Sequence, residues 1–279
     1  MSRRLRRFIF YSFVLVFILV SGWLVLYASG FVVSVQGWNV EQRGAIFLRA
    51  NPAGVSVYLD GVRYDSPSGI LRTQAFITNL PEGYHELIIT KDGYHRWQKQ
   101  LLVRPLEVTE VGAVRLIPRA PRIEPYTAGT STLPLLLTEE TRRILPVNVR
   151  VVVTPLLSAH STPQELLLSP DGKKVLARYS HGLTVVWIAR EQSNARHQIG
   201  DHETLATLTE PITDALWLPG DSNHVIYAAD GKVNITEVDG RGGRNTVELL
   251  TAERVKFFID PANNGLVYAD KEILYRLDL

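Results

Sequence analysis

Between Arg7 and Glu41 the chain runs 33 residues without a charged side chain. Within that run Phe8 to Tyr27 spans 20 residues, 14 of them Leu, Ile, Val or Phe. At 1.5 Å per residue such a helix is about 30 Å long, the thickness of the hydrocarbon layer. Its branched and aromatic side chains favour insertion by about 4–8 kcal/mol on the biological scale. A buried helix of a soluble protein would rarely run so far without a polar face. Trp23 and Tyr27 lie near its far end, where amphipathic rings prefer the interface. Arg3, Arg4, Arg6 and Arg7 precede it, and the positive-inside rule keeps such a cluster cytoplasmic. The segment therefore reads as an uncleaved signal-anchor, residues 8–29, behind a basic tail of residues 1–7. A removed signal peptide is the alternative, with Ala28-Ser29-Gly30 as its cleavage site, although its apolar core would normally be shorter. On the anchor reading the chain sits in the cytoplasmic membrane, with residues 36–279 extracytoplasmic.

The remaining composition narrows the chemistry. The 279 residues carry a net charge of +2, and without the four leading arginines the balance turns slightly acidic. That argues against a nucleic-acid partner, which needs a basic face. With no cysteine there is no disulfide, thiol nucleophile or thiolate metal site.

Residues 44–117 alternate apolar and polar residues in short runs broken by turns. Val55, Val57 and Leu59 point one way and Ser56, Tyr58 and Asp60 the other. Asp60-Gly61 and Asp92-Gly93 supply hairpin-type turns. The pattern predicts a small antiparallel sandwich over 41–118. Three motifs here resemble the PEGA domain family. Asn51-Pro52-Ala53-Gly54-Val55-Ser56-Val57-Tyr58-Leu59-Asp60-Gly61 is similar to its opening. Leu80-Pro81-Glu82-Gly83-Tyr84-His85 resembles the motif behind the name, with Tyr84 in place of the alanine. Lys91-Asp92-Gly93-Tyr94-His95-Arg96-Trp97 is similar to the element that follows. The resemblance implies a small extracytoplasmic β-sandwich of prokaryotic envelope proteins, with no assigned catalytic residues. Tyr84, Tyr94 and Trp97 are the candidate ligand-binding residues, being aromatic, near turns and beside His and Arg. Each equally suits a core or rim position.

Ile117-Pro118-Arg119-Ala120-Pro121-Arg122 marks a boundary. Beyond it three stretches look alike: 165–177, 214–228 and 256–269. Their prolines fall at 170, 219 and 261. Each is an apolar strand, a turn of Pro, Asp, Gly or Asn, and a second strand. A third strand follows at Leu183–Ile188, Lys232–Val238 and Glu272–Leu277, and a weaker fourth at Thr204–Leu208 and Thr246–Leu250. This period and strand count match propeller blades. The Ser169-Pro170-Asp171-Gly172-Lys173 turn resembles those of WD40-like and TolB-like propellers. Three blades are fewer than a closed ring needs. Pro134–Thr138 and Val147–Thr154, within 122–154, could supply a degenerate fourth blade or the outer strand that closes the ring. The fold expected is an all-β ectodomain behind one transmembrane helix, with 119–279 a small or incomplete propeller. A generic sandwich is the alternative.

No hydrolase elbow, zinc-protease motif or phosphate-binding glycine loop occurs. Gly220-Asp221-Ser222 falls where the other repeats turn. His85 and His95 lack a placeable carboxylate, and His197 and His202 read as loop residues, so no metal or other cofactor is expected. Asp171, Asp230 and Asp239 precede or flank glycines as turn formers, and Arg241-Gly242-Gly243-Arg244 reads as a hairpin turn. The expectation is a non-enzymatic binding or structural protein of the cell envelope. The sandwich would act as stalk or wall contact, and the repeats would present loops to wall polymer or another envelope protein. A peptide or glycan hydrolase scaffold and a subunit of a larger envelope complex are the alternatives.

Overall fold

The computed structural model describes residues 3–28, 31–34, 39–64, 74–126, 162–190, 197–260, 262–271 and 273–279. Pro134–Thr138 and Val147–Thr154 lie outside them. The described chain is one helix followed by β-strands in six sheets, none of which closes into a barrel. It divides into two compact units: Met1–Leu87 with Gln100–Val114, and Ile88–Lys99 with Arg115–Leu279.

The first unit opens with α1, Arg3–Ala28. Its stretch Arg6–Val25 has a mean hydropathy of 2.5 and none of it is buried, so it is long and apolar enough to cross a membrane. A hairpin of β1 (Phe31–Ser34) and β2 (Asn39–Gln42) follows. Next come β3 (Gly44–Asn51), β4 (Ser56–Leu59), β5 (Val62–Tyr64), β6 (Gln74–Leu80), β7 (Gly83–Thr90), β8 (Trp97–Val103) and β9 (Val108–Arg115). They form sheets of order β6-β3-β9 and β5-β4-β7-β8, with the ends of β7 and β8 counted in the second unit. Alternation sets the faces: Ile46, Leu48 and Ala50 of β3 are buried, as are Ala75 and Ile77 of β6. Phe47 and Phe76 stand opposite one another on the other face, ring edge to ring face at 6.3 Å. The β4–β5 turn is the predicted Asp60-Gly61. Both residues have positive φ, 49° and 79°, the two-residue turn whose twist suits a hairpin.

The second unit holds three antiparallel four-stranded sheets. The first comprises β11 (Glu165–Leu168), β12 (Lys174–Arg178), β13 (Gly182–Trp187) and β14 (His202–Thr207). β15 (Ile212–Trp217), β16 (His224–Ala229), β17 (Lys232–Glu237) and β18 (Thr246–Thr251) make the second. The third contains β19 (Val255–Asp260), β20 (Gly265–Asp270) and β21 (Ile273–Asp278). Each three-strand repeat read from the sequence is thus one sheet. In the first two the weaker strand is the fourth. In the third, the fourth place goes to β10 (Arg122–Pro125), which pairs with β21.

Neighbouring residues on a strand face opposite ways, and the burial follows. Leu176, Val185 and Trp187 of the first sheet share one core with Trp217, Val225 and Tyr227 of the second and Phe257 and Leu266 of the third. Val175, Ala177 and Val186 form a separate cluster on the first sheet's other face, and Phe258 and Val267 do so on the third. All six residues of β16 are buried, as a strand packed on both faces requires. Two polar groups knit the sheets. Trp217 Nε1 donates to the Leu167 carbonyl at 3.0 Å. The fully buried Asp214 accepts from the Ala215 and Phe257 backbone N–H groups, the latter at 2.7 Å.

Candidate functional site

A cavity of about 150 Å³ lies within the second unit. Three pieces of chain build it: His95, Arg96 and Trp97; Arg115, Leu116 and Ile117; and, from the second sheet, His224, Ile235 and Arg244 to Val247. The first two pieces are laced by backbone bonds. The His95 N–H donates to the Ile117 carbonyl and the Arg119 N–H to the Gly93 carbonyl.

Glu237, at the end of β17, organises one side of the cavity. It is 7% exposed and accepts from Trp97 Nε1 at 2.9 Å. Lys99 Nζ, with its side chain 1% exposed, lies 2.9 Å from the same carboxylate. The Asn245 N–H and amide donate to it at 2.8 and 2.7 Å. Asn245 also exchanges bonds with the Gln98 backbone in the manner of a sheet ladder. Arg244 spans the next turn, donating to the carbonyls of Glu237 and Val238 and pairing with Glu203.

Asp221 organises the other side. His224 Nδ1 lies 2.9 Å from its carboxylate and Arg115 Nη1 3.5 Å. Arg115 also donates to the Leu279 carbonyl. Burial pushes the Asp221 carboxyl up. The hydrogen bond and charge of His224, the Asn223 N–H and the Arg115 charge together outweigh it, and hold it below the usual carboxylate range. A carboxyl depressed on folding contributes stability that is present above its unfolded value and lost as pH falls through the folded one. On lowering the pH from 7, the Asp221 contribution should hold to about pH 4, the ordinary carboxyl value, and then fall. Asp221→Asn should remove part of that acid-side slope in a denaturation series against pH. An unchanged slope in the variant would show that other carboxylates carry it. Burial, followed by the nearby Arg119 charge, lowers the His95 pKa and so favours its neutral form at pH 7.

The residues singled out from sequence fall in different surroundings. Tyr84 is 73% exposed on β7. Tyr94 is half-buried, with Lys91 Nζ 5.7 Å from its ring centre. Trp97 is 4% exposed and its N–H is committed to Glu237, so it packs rather than presenting a stacking surface. His85 has a carboxylate partner after all. Its Nδ1 lies 2.6 Å from Asp60, at the β4–β5 turn, and its Nε2 2.9 Å from the Pro81 carbonyl. His197 stacks on Trp187 at 3.7 Å. Gly220-Asp221-Ser222 lies in the β15–β16 turn. Among the described residues no group of three His, Asp or Glu side chains could hold a metal. Arg96 and Arg244 fall in stretches singled out for other reasons, a PEGA-like element and a hairpin turn, and no motif marks Arg115 or His224 as a binding residue. Only strand pairing brings them to one cavity.

The family model described as PEGA domain matches residues 43–115. No curated protein matches the chain. Among solved structures, a protein of unknown function from Bacteroides fragilis, described as membrane-associated, is 10% identical. The likeness covers 85% of this chain and 99% of that one, at a TM-score of 0.21, too low to carry an argument about fold or function.

Proposed function

We propose that this chain is a membrane-tethered protein of the cell envelope that works by recognition, with everything beyond the helix on the outer side of the cytoplasmic membrane. One observation carries the reading. A helix of membrane-spanning length has four arginines at its start and β-structure after it. The positive-inside rule puts those arginines in the cytoplasm. The PEGA match follows directly in the sequence, and the three four-stranded repeats support a small propeller-type arrangement. Function is binding of an envelope ligand, a wall polymer or another protein, with no bond made or broken. The basic cavity is where the ligand is held.

The absence of cysteine makes the topology testable. Thr78 and Glu253 are exposed, one in each unit. In intact cells Thr78→Cys and Glu253→Cys should react with a membrane-impermeant maleimide, and Ser2→Cys only after lysis. The membrane-extracted chain should keep its full mass. Labelling of Ser2→Cys alone in intact cells, or a shortened chain released from the membrane, would overturn the reading.

A further inference from the structure

The geometry points to the cavity as a receptor for one phosphoryl group, bound by Arg96, Arg115, His95 and His224. This deepens the recognition reading and rests on it for the ligand's location. Ten of the twelve lining residues fall into two groups, the others being Asn245 and Thr246. Five basic side chains, Arg96, Arg115, Arg244, His95 and His224, form one. Trp97, Leu116, Ile117, Ile235 and Val247 contribute an apolar half. No carboxylate lines it.

The nearby acids are already engaged by bases or donors behind the wall. Asp221 is held by His224 Nδ1 and Arg115, Glu203 by Arg244, and Glu237 by Lys99, Trp97 and Asn245. Arg244 is spent on Glu203 and on the carbonyls of Thr204, Glu237 and Val238, so it supplies charge rather than free donors. The exposed Arg96 guanidinium makes no bond to the described protein, and His224 keeps its Nε2 once Nδ1 is used. The His95 pKa is lowered by burial and then by the Arg119 charge, and the charge of a bound anion would oppose the latter.

Size and shape select the ligand group. A cavity of about 150 Å³ matches one that holds a benzene ring, and is well below the roughly 300–1,000 Å³ that enclose a drug-sized ligand. Only a head group enters. The donors left over come from three separate elements: Arg96 in the lead-in to β8, the Arg115 N–H groups not spent on Asp221 and Leu279 at the end of β9, and His224 Nε2 at the start of β16. A tetrahedral group with three terminal oxygens can meet all three, whereas a planar carboxylate offers two oxygens. The apolar half suits the ester carbon.

The test titrates inorganic phosphate into the full-length protein in neutral detergent by calorimetry, with acetate as the planar comparison. Saturable binding in the range of about 1 mM is expected, with acetate weaker. Arg96→Ala should weaken phosphate by about tenfold and Arg96→Lys by less, the loss of one charge-assisted contact. Arg96 is exposed and bonded to nothing described, so Arg96→Ala should keep the parent's melting temperature. Absence of saturation up to about 20 mM, equal binding of acetate, or unchanged binding by Arg96→Ala would overturn the proposal. Competition against bound phosphate then names the source. Displacement by nanodiscs carrying phosphatidic acid, a phosphomonoester lipid, indicates a lipid headgroup, and displacement by a soluble glycan bearing terminal phosphomonoesters indicates a wall polymer. A chain that labels from outside yet ignores phosphate keeps its tethering role and loses this site. One that binds phosphate but labels from inside loses the outward topology alone.

Discussion

Glu237→Leu should lower the unfolding free energy of the second unit by about 3–5 kcal/mol, the cost of leaving a buried charge without its partner. Lys99 Nζ lies 2.9 Å from Glu237, and the two side chains are 1% and 8% exposed. With Glu237 gone, the ammonium keeps the Asp239 carbonyl and an Asp239 carboxylate oxygen 3.9 Å away. Trp97 Nε1 and the Asn245 amide lose an acceptor as well. Lys99→Met should cost less than Glu237→Leu, because Trp97 and Asn245 still bond the remaining carboxylate. The pair's contribution should change little between low and high salt, since buried pairs are weakly screened. Urea unfolding of the full chain followed by tryptophan fluorescence measures each term. A loss under about 1 kcal/mol for Glu237→Leu would mean that water reaches the pair.

Trp217→Ala should be comparably severe, about 3–5 kcal/mol, from the lost transfer energy and the cavity left in a core that unites three sheets. Trp217 is 1% exposed, and its N–H closes on the Leu167 carbonyl of the neighbouring sheet. Trp217→Phe keeps much of the bulk and drops the bond, so about 1–3 kcal/mol is expected for the stranded acceptor and the smaller ring. If Phe proved as damaging as Ala, the hydrogen bond rather than the packing would dominate. The same urea series decides between them.

The elements most legible in the sequence are those set by local rules. The helix follows from an uncharged run, and each repeat from alternation around a Pro- or Gly-bearing turn. Asp60-Gly61 and Asp230-Gly231 form the turns that adjoining positive φ values require, at 49° and 79° and at 51° and 66°. What sequence concealed is everything fixed by pairing across distance. Nothing near Trp97 signals that its N–H meets Glu237, and nothing near His85 signals Asp60. The cavity depends on three such meetings, so its basic residues were invisible as a group. The sequence offers Pro134–Thr138 and Val147–Thr154, within 122–154 and outside the described residues, as a degenerate fourth blade or the outer strand that closes the ring. The fourth strand of the last sheet is instead Arg122–Pro125, a four-residue run with a single aliphatic side chain, too short to be read as a strand from its own pattern. Its partner β21, rather than its own pattern, makes it a strand.

That pairing has a kinetic consequence. Arg122 lies opposite Asp278 and Pro125 opposite Tyr275, joining the beginning of the repeat region to its end. Loop closure over such a separation carries a large entropy cost, so the seam is among the last contacts to form. On a chain that emerges amino-terminus first, it waits until Ile273–Asp278 has cleared the exit. Until the seam closes, β21 is an unpaired edge strand at the side of its sheet, open to pairing with another chain.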